Sequence, residues 1–267
     1  MHHVCALSIR ERLVTSGNGK PNIALILGSG PDAMDAATFP RDVFSAIVAI
    51  NNAWQVRPDW DYLIHPEDFP AERHPPNIDI SEKTIIKAQD YVPVQNAFGG
   101  FVYAGGTMAY TAGYWALGAL KPDVLAFYGC DMNYGMGRTH FYGNGTADPL
   151  RDDITLQSLE AKSARLMILA ASKGCLTVNL SAQQHSRLVF PKHPVDQIGH
   201  WERQTLAKHL SELGQSIDQQ KAAQARSREA DLGYMSVSGR YWDELEKFDA
   251  AELRKLDALW LAAAGIN

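Results

Sequence analysis

The sequence predicts an α/β fold: a mostly parallel sheet with helices on both faces, followed by a helical C-terminal appendage. Three observations predict it. Short apolar runs at Ile23–Leu27, Phe44–Ile50, Asp123–Gly129 and Cys175–Leu180 each stop at glycine, asparagine or serine. Runs apolar on both faces belong inside a covered parallel sheet. Helical patterns alternate with them, notably Thr107–Leu117 and Ile154–Lys173. From about Pro191 the pattern turns to polar helices with no further strand.

The stretch Ile23 to Ala33, I-A-L-I-L-G-S-G-P-D-A, organises the rest. Five apolar residues are too few for periodicity to separate a strand from a helix. Their stop decides, because Gly28-Ser29-Gly30-Pro31 is turn chemistry. Pro31 then opens a short helix, since proline suits the first helical position. Backbone N–H groups left open at this turn suit a phosphate or another anion. A tight strand-to-helix turn without a ligand accounts for the same residues, as G-x-G lacking a third glycine is a weak signal.

Residues 1–21 form an N-terminal segment, with Cys5–Val14 a short helix and 16–21 a loop. Phe44–Ile50 is the second strand and ends in Asn51. An asparagine there sits where open α/β sheets bind ligands, and its amide both donates and accepts. An Asx turn capping the next element is the competing explanation. Asp59–His65 is a third strand, followed by a proline-rich charged loop over 66–80. Ile80–Gln89 fits helix and strand equally, and Phe98–Gly106 reads as a strand followed by a loop.

Thr107–Leu117, T-M-A-Y-T-A-G-Y-W-A-L, is apolar almost all round and therefore a buried helix. Thr107 caps its start, Gly105-Gly106 let a ligand approach, and Gly118 terminates it. Asp123–Gly129 is the next strand, leading into Cys130-Asp131. The long polar loop over 132–153 is of a length that is usually functional. Ile154–Lys173 is an amphipathic helix closed by Gly174, and Cys175–Leu180 is the last strand. The body of the fold, 22–190, is Rossmann-like. The appendage, 191–267, consists of helices over His200–Gly214, Asp218–Leu232 and Trp242–Ala264, docking on the core or on a second copy of the chain.

Composition narrows the function. The chain has 267 residues, 46% hydrophobic, and a formal net charge of −5. That size supports a large core, and that charge argues against a general nucleic-acid-binding surface. No run approaches the ~20 apolar residues of a membrane span. The three cysteines, Cys5, Cys130 and Cys175, are far apart and read as buried thiols of a reducing compartment. With no signal-peptide pattern, the expected location is cytoplasmic.

Four features stand in a definite order. They are the Gly28-Ser29-Gly30-Pro31 turn, the strand ending at Asn51, Gly106-Thr107 opening a buried helix that ends Ala116-Leu117-Gly118, and the strand ending Gly129-Cys130-Asp131. With Asn179-Leu180-Ser181 after the last strand, this order resembles the bacterial sialyltransferases that use CMP-sialic acid. It also resembles the related MptE-like family, named for a 6-hydroxymethylpterin pyrophosphokinase. The resemblance covers roughly residues 22–182. It implies nucleotide contacts at Gly28, Ser29, Gly30 and Asn51. Thr107, beside Gly106, would hold the donor sugar carboxylate, and Gly129, Cys130 and Asp131 would lie against ribose and cytosine. A loop histidine would act as general base, here His140, and tyrosines would hold the leaving phosphate, here Tyr134 and Tyr142. Met132-Asn133 stand where the sialyltransferases carry aromatic residues.

Independently of the resemblance, Arg138, His140 and two tyrosines on one loop supply both a base and a partner for a leaving phosphate. A histidine bonded to a backbone carbonyl, tyrosines anchoring the loop to the core, and an Asp131 that caps a helix or pairs with a cation are the structural alternatives. No metal site is expected: Asp152-Asp153 marks a helix start, and His65 with Glu67 and Asp68 reads as solvated surface. The expected function is a nucleotide-sugar-dependent glycosyltransferase, with a CMP-activated acidic sugar as donor and a carbohydrate as acceptor. The alternatives are a pyrophosphokinase using ATP and Mg²⁺, and a non-enzymatic binding or assembly module that associates through the C-terminal helices.

Overall fold

The computed structural model describes residues 19–76, 82–133, 139–143 and 152–266. The helix expected over Cys5–Val14, and the residues Tyr134 and Arg138, lie outside the described residues. Six strands form one sheet in the order β4-β3-β2-β1-β5-β6. They are β1 Ile23–Leu27, β2 Ala46–Ile50, β3 Tyr62–Ile64, β4 Thr84–Ile86, β5 Val124–Tyr128 and β6 Leu176–Asn179. Every pairing is parallel, and Leu25 of β1 lies between Ile47 of β2 and Ala126 of β5. All of β1 and β5 is buried, as expected for central strands covered by helices on both faces. The chain builds outward from β1 to β4 and then returns to the other side of β1. The order therefore reverses between β1 and β5, where open α/β sheets leave a crevice at their carboxyl edge.

The helices are α1 Ala88–Ala97, α2 Phe101–Ala104, α3 Met108–Ala119, α4 Leu159–Ser172, α5 Val195–Gly199, α6 Arg203–Ser216, α7 Gln219–Leu232 and α8 Ala250–Ala263. The buried helix expected from Thr107 is α3, which lies against β1, β2 and β5. None of the described helices is long and apolar enough to cross a membrane.

Several expected boundaries are corrected. Phe98–Gly106 is not a strand: Gly99, Gly100 and Gly105 adopt positive φ and divide it into the end of α1 and the short α2. Gly118 does not end α3, which runs on to Ala119. Its Cβ would lie 2.5 Å from Val94 Cγ1, so the glycine serves close contact with α1. Ile80–Gln89 resolves, where described, into β4 and the start of α1. Pro31 precedes a 3₁₀ turn over Ala33–Thr38 and is not its first residue. The helix expected over Ile154–Lys173 is a 3₁₀ turn, Ile154–Leu156, followed by α4, because the Ser158 hydroxyl accepts from the Ala161 N–H and caps a new start. The terminal helix divides likewise into a 3₁₀ segment, Tyr241–Lys247, and α8, whose start Asp249 caps. Gly233 closes α7 as expected from its left-handed conformation.

The C-terminal helices are joined to the body by buried charge as well as apolar packing. α8 lies against α4 and α7. Lys162 of α4 pairs with Asp257 of α8 at 2.7 Å. Arg165 of α4 donates to both carboxylate oxygens of Glu229 in α7, at 2.7 and 2.8 Å. Trp260 Nε1 of α8 donates to the same carboxylate.

Candidate functional site

The carboxyl ends of β1, β2 and β5 open onto a cleft of about 1720 Å³. The sequence-predicted site residues that fall among the described ones all line it: the turn at Gly28, Ser29 and Gly30, Asn51, Gly106-Thr107 at the start of α3, Gly129 to Asp131, and the pair His140 and Tyr142. Tyr134 lies outside the described residues. Residues more than a hundred positions apart thus converge because their strands end side by side.

Their individual roles differ from the expectation. The amides of the glycine turn are not left open. Gly28 N–H donates to the Tyr128 carbonyl and Gly30 N–H to the Gly129 carbonyl, each at 2.8 Å. A Cβ on Gly28 would stand 2.3 Å from the Gly129 oxygen and 2.6 Å from Cys130 Sγ. These glycines let the ends of β1 and β5 close together, and the Ser29 N–H is the turn amide left without an acceptor among the described residues. Cys130 is a packing residue: its thiol is buried, its pKa is raised by that burial, and it faces the Ile26 and Tyr128 carbonyls. Gly106 N–H is likewise taken, by Thr155 Oγ1 at 2.9 Å.

Amides left without an acceptor lie one step further along. Thr107 Oγ1 accepts from the Tyr110 N–H as the N-cap of α3. The first-turn N–H groups of Met108 and Ala109 have no acceptor among the described residues, and both residues line the cleft. A helix start of this kind favours a carboxylate or phosphate. The threonine cap, a signal local to the sequence, marks these first two helical positions.

Asn51 adopts a positive φ of 52° at the end of β2 and makes no side-chain cap. Its Oδ1 and that of Asn52 are buried without a hydrogen-bond partner among the described residues. Unmet acceptors are rare in native proteins and mark a place for a donor group. Asp131 neither caps a helix nor pairs with a cation among the described residues. Asn179 Nδ2, from the end of β6, donates to its Oδ1 at 3.2 Å and holds the carboxylate at the cleft edge.

The loop carrying His140 is docked on the glycine turn. Phe141 N–H donates to the Ser29 carbonyl at 3.1 Å, and His140 and Gly143 exchange two backbone hydrogen bonds. Phe141, not Tyr142, anchors this loop on the core. Tyr142 is exposed and stacks on the His140 ring at 4.9 Å. His140 Nδ1 lies 3.0 Å from Thr139 Oγ1, and burial lowers the imidazole pKa, which favours the neutral ring. A neutral imidazole is the form a general base requires.

The far wall was not anticipated. Residues 238–242 and Leu245, with Arg254 of α8, face the same cleft. A hydrogen-bond chain ties this wall to the start of α3: Tyr241 OH donates to Asp153 Oδ2 at 2.7 Å, Thr155 Oγ1 to Asp153 Oδ1 at 2.7 Å, and Gly106 N–H to Thr155 Oγ1. Asp153 thus organises the cleft while capping the 3₁₀ turn, which agrees with its expected place at a helix start. Among the described residues, no three His, Cys, Asp or Glu side chains stand close enough to hold a metal ion.

Fold and site together define an α/β protein with a large cleft at the carboxyl edge of a parallel sheet. Comparison with protein-family models, curated proteins and solved structures found no match.

Proposed function

We propose that the protein is a nucleotide-sugar-dependent glycosyltransferase whose favoured donor is a CMP-activated acidic sugar. One observation carries this reading: Ser29, Asn51, the α3 start, Asp131 and His140 line a single cleft at the point where the strand order reverses. That is where open α/β sheets take nucleotides. The cleft exceeds the ~300–1,000 Å³ of ordinary ligand pockets, leaving space for a donor and an acceptor together.

In this reading the nucleotide lies across Ser29, Asn51 and Asp131. The sugar carboxylate meets the Met108 and Ala109 amides beside Thr107. His140 takes the proton of an acceptor hydroxyl as its oxygen attacks the anomeric carbon. The bond from that carbon to the phosphate oxygen breaks, and its electron pair leaves on CMP with inversion. Tyr142 stands beside His140 to hydrogen-bond the departing phosphate.

Thermal shift with CMP, CDP, UDP, GDP and ATP, with and without Mg²⁺, tests it. A ligand at a hundredfold excess over Kd adds about 2.7 kcal/mol, or roughly 5–10 °C for a chain of this size. Stabilisation by CMP or CDP without metal is expected. A shift only with ATP and Mg²⁺ would favour a pyrophosphokinase, and no shift at all a non-enzymatic module. Given turnover, His140→Ala is expected to lower kcat by about 10²–10⁴ with nucleotide affinity nearly unchanged.

A further inference from the structure

The cleft's second wall has a character that the nucleotide edge lacks. Trp242 and Leu245 are large apolar residues lining a cleft, yet they are 52% and 46% exposed. Exposed apolar surface gathered in a concavity marks a contact site. Trp242 is also held in place. The Tyr241 ring packs edge-on against it at 5.3 Å, and the Arg240 guanidinium lies 5.6 Å from its ring centre. Tyr241 is itself buried, stacked on Phe101 and bonded to Asp153. Gly239 fits against Val92 and Phe101 where a Cβ would come within 2.9 Å of Val92 Cγ2. The segment therefore presents a fixed indole to the cleft.

Polar heads line the same cleft. Arg254 donates through Nη1 to Gln157 Oε1 at 3.0 Å and has no carboxylate partner among the described residues, and Gln157 Nε2 donates to the Ile154 carbonyl at 3.1 Å. A cleft that offers an aromatic face and polar heads matches a pyranose ring, which carries C–H groups on its faces and hydroxyls around its rim. A lipid chain would leave Arg254 and Gln157 facing hydrocarbon, which is costly for polar groups.

We propose that this wall is the acceptor subsite, with Trp242 as the stacking platform for a pyranose ring and Arg254 and Gln157 as partners for its hydroxyls. The assignment as acceptor side rests on the transferase reading above. It makes the C-terminal segment part of the substrate site.

Saturation-transfer NMR with lactose, cellobiose, maltose and chitobiose tests it on the full chain, and indole emission follows the same titrations. The wild type is expected to show transfer to the ring protons of at least one disaccharide, with a change in emission from Trp242. Trp242→Ala is expected to lower that transfer at least fivefold, and Trp242→Phe to retain much of it. The CMP thermal shift is measured on all three proteins and is expected to stay the same. Disaccharides that fail to bind, or that bind Trp242→Ala as well as the wild type, overturn the subsite and leave the nucleotide reading standing. A wild type that no nucleotide stabilises overturns the transferase reading, whatever the saccharides do. Because Trp242 is half-exposed, the alanine variant is expected to fold, and the melting curves check this directly.

Discussion

Removing the Glu229 carboxylate strands a buried cation. Arg165 is 2% exposed and Glu229 9%. Glu229 accepts two hydrogen bonds from the guanidinium and one from Trp260 Nε1. Burial of Arg165 works against its charge, but Glu229 outweighs this and holds the guanidinium pKa above its ordinary value. In Glu229→Ala the Tyr114 hydroxyl and the Phe98 carbonyl remain as its hydrogen-bond partners among the described residues. Breaking one side of a buried pair costs about 3–5 kcal/mol, mostly from the uncompensated charge. For a chain of this length that lowers Tm by roughly 6–20 °C. Urea unfolding followed by far-UV circular dichroism measures it, with Arg165→Met and the double variant Arg165→Met/Glu229→Ala completing a cycle. The double variant is expected to be more stable than Glu229→Ala, because no unpaired guanidinium is then left at this site. A loss below about 1 kcal/mol in Glu229→Ala, or additive single effects, would refute the account of how the C-terminal helices are held.

Two further outcomes follow from the same coordinates. Gly28→Ala forces a methyl against the Gly129 carbonyl and disturbs the two hydrogen bonds that join β1 to β5. Its expected cost is about 2–4 kcal/mol in a urea melt. Gly214→Ala in α6, where a Cβ meets nothing within 4 Å, is the control and is expected to stabilise by about 0.5–1 kcal/mol. The pH dependence concerns His65 and His140, whose pKa values burial lowers from the ordinary 6.5. Below pH 6.5 the unfolded chain binds protons that the folded chain does not, so stability falls as pH drops from there toward the folded values. Melting at pH 7.5 and 5.5 is expected to show this loss, and His65→Gln is expected to reduce it.

How the fold was legible depends on how far each signal reaches along the chain. The runs Ile23–Leu27 and Val124–Tyr128 are apolar at every position, so central buried strands follow from composition and a glycine stop alone. The Thr107 cap and the apolar faces of α3 are equally local, and so the helix start at the cleft was readable. Local capping also decided where the sequence misled: Ser158 and Asp249 each start a helix inside what periodicity reads as one. Gly28 shows the limit. A glycine before a turn looks the same whether it bares an amide for a ligand or makes room for another strand. Only the position of Gly129, a hundred residues away, decides between them.

The sequence by itself determined the sheet, its central strands and the order of motifs that face its carboxyl edge, because each rests on residues adjacent in the chain. Tertiary structure alone decided that Arg165 and Lys162 are buried, that Asp153 joins Tyr241 to the start of α3, and that residues 238–242 and Leu245 wall the cleft. The physical reason is one of distance: a charge or an exposed indole takes its meaning from what the fold brings opposite it, and no pattern along the chain records that partner.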